Sequence, residues 1–327
     1  MKYLRNKSTN PYFNLALDEY AMNLDIKEPF FYIWRNAPAV IIGKYQNALA
    51  EVNHQFLREN NIKLCRRISG GGAVYHDLGN VNYTFIIPSE KVNKADLRSY
   101  SQIMLKALNS LGLNAELSGR NDLSLNGKKF SGTAQRFAHN KLMYHGTLMF
   151  DLNLENLVKA LNVDSEKYTS KGFKSLRSRV VNIKDHLAKD LSVEEFMQAL
   201  IYYLSNEGQD KEIKLSKEDI KKIKALETNK FSTWEWIYGK SPEFNFRNKQ
   251  RFPSGEIEVL IQVETGLIKD IKFYGDFLGF KDVSIVEEKL KGKKYALDTI
   301  KNELDKLALT EYFGKITSEE LSKLIFE

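Results

Sequence analysis

One cysteine, six prolines and no apolar run near the ~20 residues that cross a bilayer set the first limits on this 327-residue chain. With Cys65 as its only thiol, it can form no internal disulfide. Its five histidines show no HExxH motif and no paired Cys/His spacing, which argues against a structural zinc site. The opening residues, MKYLRNKSTNPYFN, contain no apolar stretch of signal-peptide type, so a cytoplasmic location and no membrane partner are expected. Low-complexity segments are missing too, and 43% hydrophobic with 12% aromatic residues is the composition of a folded chain. The length suits one large domain and one small one.

Positive charge is in excess. A net charge of +7 and a pI near 9.1 attract anions, whether nucleic acid, a nucleotide or an acidic protein. The lysine runs KEDIKKIKALE and KLKGKKY read first as solvated helix faces, so charge alone does not choose the partner.

Phe13, Leu17, Tyr20, Ala21 and Leu24 fall at helical spacing and predict a helix over 10–24, with strands to follow at 30–34, 39–42 and 62–68. Residues 69–80 read as a glycine-rich connection, and 81–87 as a buried strand that Pro88 ends. A helix over 97–111 stops at Gly112, and Asn126-Gly127 favours a type I′ turn that sets Lys129 on the second arm of a hairpin. A strand over 142–151 and a helix over 154–161 come next. Residues 162–182 lack periodicity and concentrate Lys171, Lys174, Arg177 and Arg179 around Gly172, as a long functional loop that is mobile without ligand would. Helical patterns return over 192–205 and 216–226, and a boundary is expected near 243–250. Beyond it, Ile257, Val259, Ile261 and Val263 alternate into a hairpin at Thr265-Gly266, and two helices at 283–290 and 294–308 complete a small α+β unit.

The strongest local signal for chemistry is RRISGGGAVYHD at 66–77. Three successive glycines remove every Cβ, so backbone N–H groups can approach a phosphate or carboxylate, with Arg66 and Arg67 adjacent. The competing reading is a wide turn with ordinary surface arginines. No GxxxxGK[ST] is present, and the dinucleotide fingerprint fails because a strand follows the loop. Asn121, Asp122 and Lys129 flank the predicted turn, where an ammonium and a cation-binding carboxylate could offset anion repulsion during attack on a phosphate. His76 and His145 read first as hydrogen-bonded structural histidines, and Cys65 as a buried strand residue.

Taken together, RRISGGGAVYHDLGNVNYTF (66–85), GRNDLSLNGKKFSGTAQR (119–136), HGTLMFD (145–151), SKGFKSLRSRVVN (170–182) and WEWIYGKSPEFN (234–245) resemble the lipoate-protein ligase A family, in the family's order and over nearly the whole chain. The resemblance implies an α+β fold: a catalytic domain over 1–245 with a mixed, largely antiparallel sheet of biotin/lipoate ligase type, and an accessory domain over 246–327. It also implies lipoate, ATP and Mg²⁺ as ligands, with lipoyl-AMP formed and the lipoyl group passed to a lysine on lipoyl domains of 2-oxoacid dehydrogenases or a glycine-cleavage H protein. By the same resemblance, Ser69, Gly70, Gly71 and His76 belong to the lipoate-binding loop, Arg67 meets the phosphates, and Gly72, Ala73, Val74 and Tyr75 touch ATP through their backbone. Lys129 stands between acid and nucleotide; Asn121, Asp122, Ser69 and Arg136 surround the adenylate; and 167–182, with Lys171, Arg177 and Arg179, covers the adenylate, while Asp122 is, from its carboxylate chemistry, the candidate Mg²⁺ contact. A monomer that binds no nucleic acid is expected. Two alternatives stay open: an acyl transferase of the same fold that works through a cysteine thioester, and a basic nucleic-acid-binding protein.

Overall fold

The computed structural model describes residues 1–88, 90, 98–118, 122–161, 179–238 and 246–326. Its strands, in chain order, are β1 (Lys2–Leu4), β2 (Phe30–Trp34), β3 (Ala39–Ile42), β4 (Lys63–Arg66), β5 (Val74–His76), β6 (Asn80–Pro88) and β7 (Ala115–Ser118). They continue as β8 (Asp122–Leu125), β9 (Lys128–Ala138), β10 (Lys141–Met149), β11 (Glu212–Ile213), β12 (Phe246–Phe252), β13 (Gly255–Glu264) and β14 (Leu267–Gly275).

Eight of them form one mixed sheet in the order β11-β1-β2-β6-β10-β9-β8-β7, parallel over its first three strands and antiparallel after. Alternation decides what each face meets. Phe31, Ile33, Tyr83 and Phe85 pack with Met104 and Leu108 of helix Arg98–Ser110 and with Phe196 and Leu200 of helix Val193–Leu204. Phe30, Tyr32 and Trp34 point the other way, to helix Pro11–Asn23 and to Cys65 and Ile68 beside a small β4-β3-β5 sheet. On this second side β6 carries Asn80, Asn82 and Thr84, all buried and all polar. Buried polar groups on a sheet face need partners, and here they frame the candidate site.

The β12-β13-β14 sheet packs on helices Ser284–Leu290, Leu297–Leu304 and Ser318–Phe326 around its own hydrophobic cluster. Tyr45, from the loop after β3, joins that cluster by stacking on Phe277 at 5.1 Å. The N-terminal region and the C-terminal three-stranded domain are therefore in direct contact beside the glycine loop.

Most expected elements appear, including the Asn126-Gly127 turn, whose φ values of 50° and 75° suit type I′. The connection over 69–80 differs, because it contains β5, paired antiparallel to β3. Strands β1, β7 and β12 and the last helix were not anticipated. Of the loop expected over 162–182, residues 162–178 lie outside the described residues; of the boundary expected near 243–250, residues 243–245 do, and 246–250 form the first part of β12.

Gly146 pairs with Tyr83 across β10 and β6, and a Cβ there would meet the fully buried Tyr83 ring at 2.6 Å. Gly146→Ala is expected to cost about 1–3 kcal/mol through overpacking, seen as a lower urea midpoint; an unchanged midpoint would show that the sheet yields there.

Candidate active site

The two arginines before the glycines face inward. Arg66 donates to Gly43 O, Lys44 O and Gln46 O through Nη1 and to Trp236 O and Ile237 O through Nε, which ties β4 to two other segments. Arg67 donates from Nη2 to Gly70 O (2.6 Å) and Gly72 O (2.8 Å), from Nη1 to Ile41 O, and from Nε to Ser69 Oγ. Burial lowers both guanidinium pKa values to about 10, so both remain charged at neutral pH. Carbonyl dipoles take the place of lost water around each cation. Those oxygens of Gly70 and Gly72 are consequently held against Arg67 and not against an approaching anion.

Different constraints act on the glycines themselves. At Gly70 a Cβ would lie 2.7 Å from Phe277 O of the C-terminal domain, whereas Gly71 has φ +88°, which favours glycine. The Gly71 N–H donates to Phe277 O at 3.4 Å. Part of what the triple glycine permits is thus the docking of the second domain.

Ser69 begins a buried polar chain. Its Oγ lies 2.7 Å from His145 Nε2, and His145 Nδ1 lies 3.0 Å from Asp18 Oδ2. Asp18 Oδ1 also accepts from Tyr32 OH (2.5 Å) and Thr84 Oγ1 (3.0 Å), and Thr84 accepts from Trp34 Nε1. Because an ionised carboxylate only accepts, His145 Nδ1 carries the proton and Nε2 accepts from the Ser69 hydroxyl. Ser69 Oγ in turn accepts from Arg67. The run Arg67–Ser69–His145–Asp18 is satisfied in one direction throughout. Ser69, at 1% exposure, is outside the cleft, so the arrangement positions the loop and presents no nucleophile.

The cleft, of about 350 Å³, crosses the sheet along one row of paired residues. Trp34 pairs with Asn82, Asn82 with Thr147, Gly132 N–H donates to Thr147 Oγ1, and Gly132 pairs with Asp122. From Asn82 to Asp122 the row spans three strand spacings, roughly 14 Å. Leu15, Trp34 and Ile41 make one end apolar. At the other end Lys129 Nζ stands 2.8 Å from Asp122 Oδ1. That oxygen has no directed hydrogen-bond partner, so the pair is an ionic contact that a ligand can exchange. Gly132 leaves room for the ammonium, since a Cβ there would lie 3.3 Å from Lys129 Nζ. Arg251, Asp276 and Leu278 of the C-terminal domain complete the wall.

Of the expected site residues, Arg67, Gly71, Gly72, Ala73, Val74, His76, Asp122, Lys129 and His145 line this cleft. Gly70 and Ser69 lie just behind it, and the Tyr75 ring turns away toward Asn156, 3.4 Å from its hydroxyl. Arg136 donates to Ile68 O and lines a separate cavity of about 200 Å³ with Lys44 and Lys230. Arg179 is exposed, while the adjoining Val181 N–H donates to Lys129 O at 3.0 Å, fastening the end of the basic segment to the lysine strand. Asn121, Lys171 and Arg177 lie outside the described residues. Cys65 is fully buried, absent from the cleft wall, and its thiol pKa is pushed up by burial, all adverse to a nucleophile.

Sequence reading missed Asp18, Trp34, Asn36, Asn82 and Thr147. Asn14 and Asp18 stand four residues apart on the buried side of a helix, a signal that was available. Asn36 and Asn82 had none beyond polarity within apolar surroundings.

Comparison with known proteins agrees with this geometry. A slot apolar at one end and charged at the other is shaped for a small amphiphilic acid. Residues 10–205 match the lipoyl protein ligase A/B catalytic domain and residues 241–325 the bacterial lipoate protein ligase C-terminus, and the chain belongs to the lipoate-protein ligase family. It is 40% identical to the lipoate-protein ligase LplJ of Bacillus subtilis, over 100% of both chains. Among solved structures it resembles P. falciparum LipL1 in complex with lipoate (TM-score 0.78, 27% identity, 94% of each chain). It also resembles a bipartite lipoate protein ligase from Thermoplasma acidophilum studied with its E2 lipoyl domain (0.66, 30%, 75% of this chain and 98% of that one). A lipoate-protein ligase A bound with ATP is similar as well (0.63, 28%, 73% and 98%).

Asp18→Asn leaves three buried donors facing one fewer acceptor and is expected to lose about 2–4 kcal/mol of stability; a chemical unfolding midpoint equal to wild type would show that the chain tolerates a break. His76 supplies a pH test. Burial, then the nearby Arg67 and His145, lower its pKa to about 3, against a usual imidazole value near 6.5. Between those values the unfolded chain binds the extra proton, so stability falls as pH drops from 6.5 toward 3. Urea midpoints measured from roughly pH 4 to 6 should fall on acidification more steeply in wild type than in His76→Gln; parallel profiles would remove the assignment.

Proposed function

We propose that this protein is an ATP-dependent lipoate–protein ligase, with residues 1–245 as the adenylating domain and 246–327 as the accessory domain. The observation that carries the reading is the slot, apolar around Leu15, Trp34 and Ile41 and charged at Lys129 and Asp122, in a chain of this family. A lipoate tail enters the apolar end, which leaves its carboxylate toward Lys129.

One carboxylate oxygen attacks the α-phosphorus of ATP in line. A new C–O–P linkage forms, the bridging bond to the β-phosphate breaks, and pyrophosphate leaves. The Lys129 ammonium offsets the negative charge shared by the two anions as they meet. Asp122 is one carboxylate at the phosphate end, which suits Mg²⁺ because that ion commonly uses one or two carboxylates together with substrate phosphates. Bound with the nucleotide, Mg²⁺ would supply charge neutralisation. Arg67 acts through the loop, by holding the Gly70 and Gly72 carbonyls off the anion's path. In the second half-reaction an acceptor lysine amine attacks the acyl carbon of lipoyl-AMP, AMP departs, and an amide results. Lipoyl domains of 2-oxoacid dehydrogenases or a glycine-cleavage H protein are the acceptors we expect. The reaction takes place in the cytoplasm, Asn121 is one of the residues around the adenylate, and residues 167–182, with Lys171, Arg177 and Arg179, protect the mixed anhydride from water.

Incubation with lipoate, ATP, Mg²⁺ and an apo-lipoyl domain should add one lipoyl mass to a single lysine, read by mass spectrometry. Lys129→Ala should reduce lipoate-dependent pyrophosphate release at least ~100-fold without unfolding the protein; release at the wild-type rate would exclude Lys129 from the chemistry.

A further inference from the structure

His76 Nε2 is fully buried, has no hydrogen-bond partner, and belongs to a residue of the cleft wall. Which ring nitrogen carries the proton follows from its neighbours. Asn14 Nδ2 faces the backbone carbonyls of Ser8 and Arg35, both at 3.0 Å, so that atom is the amide nitrogen. It also donates to Asn36 Oδ1 at 2.8 Å. Asn36 must then turn its Nδ2 to His76 Nδ1, 3.0 Å away, which makes Nδ1 an acceptor and leaves the proton on Nε2.

Asn82 repeats the pattern. Its Oδ1 accepts from Asn80 Nδ2 at 3.0 Å, while its Nδ2 is buried without a partner. Trp34 links the two, pairing with Asn82 across the sheet and lying edge-on to His76 with ring centroids 6.3 Å apart. Two orphan donors thus stand at the apolar end of the slot, remote from Lys129. A buried donor without an acceptor is costly, and both are fixed by partners that have no other role in the cleft.

We infer that His76 and Asn82 read the tail of the bound acid, donating N–H···S hydrogen bonds to the dithiolane sulfurs and so selecting a sulfur-bearing acyl chain over a plain hydrocarbon one. This rests on the ligase reading above and extends it to the basis of substrate choice. Lipoate and octanoate share a carboxylate and an eight-carbon backbone, so the charged end cannot separate them. An octanoyl tail excludes water from this end and leaves both donors unmet; sulfur, though a weak acceptor, meets them.

The experiment measures kcat/KM for pyrophosphate release with lipoate, with octanoate and with 5-cyclopentylpentanoate, which has the shape of lipoate and no sulfur. Wild type should prefer lipoate over the cyclopentyl acid by about five-fold or more, the worth of modest hydrogen bonds. His76→Leu and Asn82→Leu should each narrow the lipoate-to-octanoate ratio by a similar factor, and His76→Gln, which keeps a donor, should restore part of it. Equal use of lipoate and the cyclopentyl acid by wild type overturns the inference even if the variants fail to fold, as does an unchanged ratio in folded variants. Pyrophosphate release with none of the acids is a separate result: it removes the ligase reading and this inference together.

Discussion

Arg67 is a cation with almost no water, and the surrounding site is organised by how that charge is solvated. Its guanidinium takes the carbonyls of the loop it belongs to, so the glycine turn is folded around its own arginine. Through Ser69 the same group is coupled to His145 and Asp18, which connects the loop to the large sheet and to helix Pro11–Asn23. A loop of glycines has high conformational entropy when free. Here the entropy is offset by directed bonds whose loss would leave buried charge unpaired, and that makes the cradle rigid where composition alone would make it soft.

The second domain enters the same constraint. Phe277 O receives the Gly71 N–H, Tyr45 stacks on Phe277, and Lys44 forms an ion pair with Asp282. Lys44 is mostly buried, and desolvation lowers its pKa even beside that carboxylate. Since Leu278, Asp276 and Arg251 reach the cleft, the C-terminal domain is part of the site's wall in this arrangement. Bare glycine at position 70 answers to Phe277 as much as to a ligand.

How much of this the sequence disclosed follows from the range of each interaction. The Asn126-Gly127 turn, the helix before Gly112 and the alternation after 255 depend on neighbours a few residues apart, and each was legible. Strand β12, FRNKQRF, has charged and mostly exposed residues and owes its form to backbone pairing with β13, so no apolar alternation marks it. β5 is three residues inside a glycine-rich stretch and exists because β3 offers an edge. Glycines and Lys129 drew attention by residue type and spacing. Asp18 did not, since its partner His145 is 127 positions away and only the folded sheet brings them together.

That difference bears on how the site separates its tasks. The charged end uses groups from one hairpin, Asp122 and Lys129, whose spacing a single turn fixes. The apolar end uses groups from four separate places: Leu15 from a helix, Trp34 and Asn82 from two strands of the large sheet, and His76 from the small one. A hairpin can hold its pair even when the rest of the cleft shifts, so the Lys129–Asp122 pair is the locally determined part of the cleft. The apolar end needs all four elements in register, and the asparagines at 14, 36 and 80 fix the orientation of the His76 imidazole and the Asn82 amide there. On the proposed reading, chemistry common to many acids resides in local structure, and discrimination among acids resides in tertiary structure.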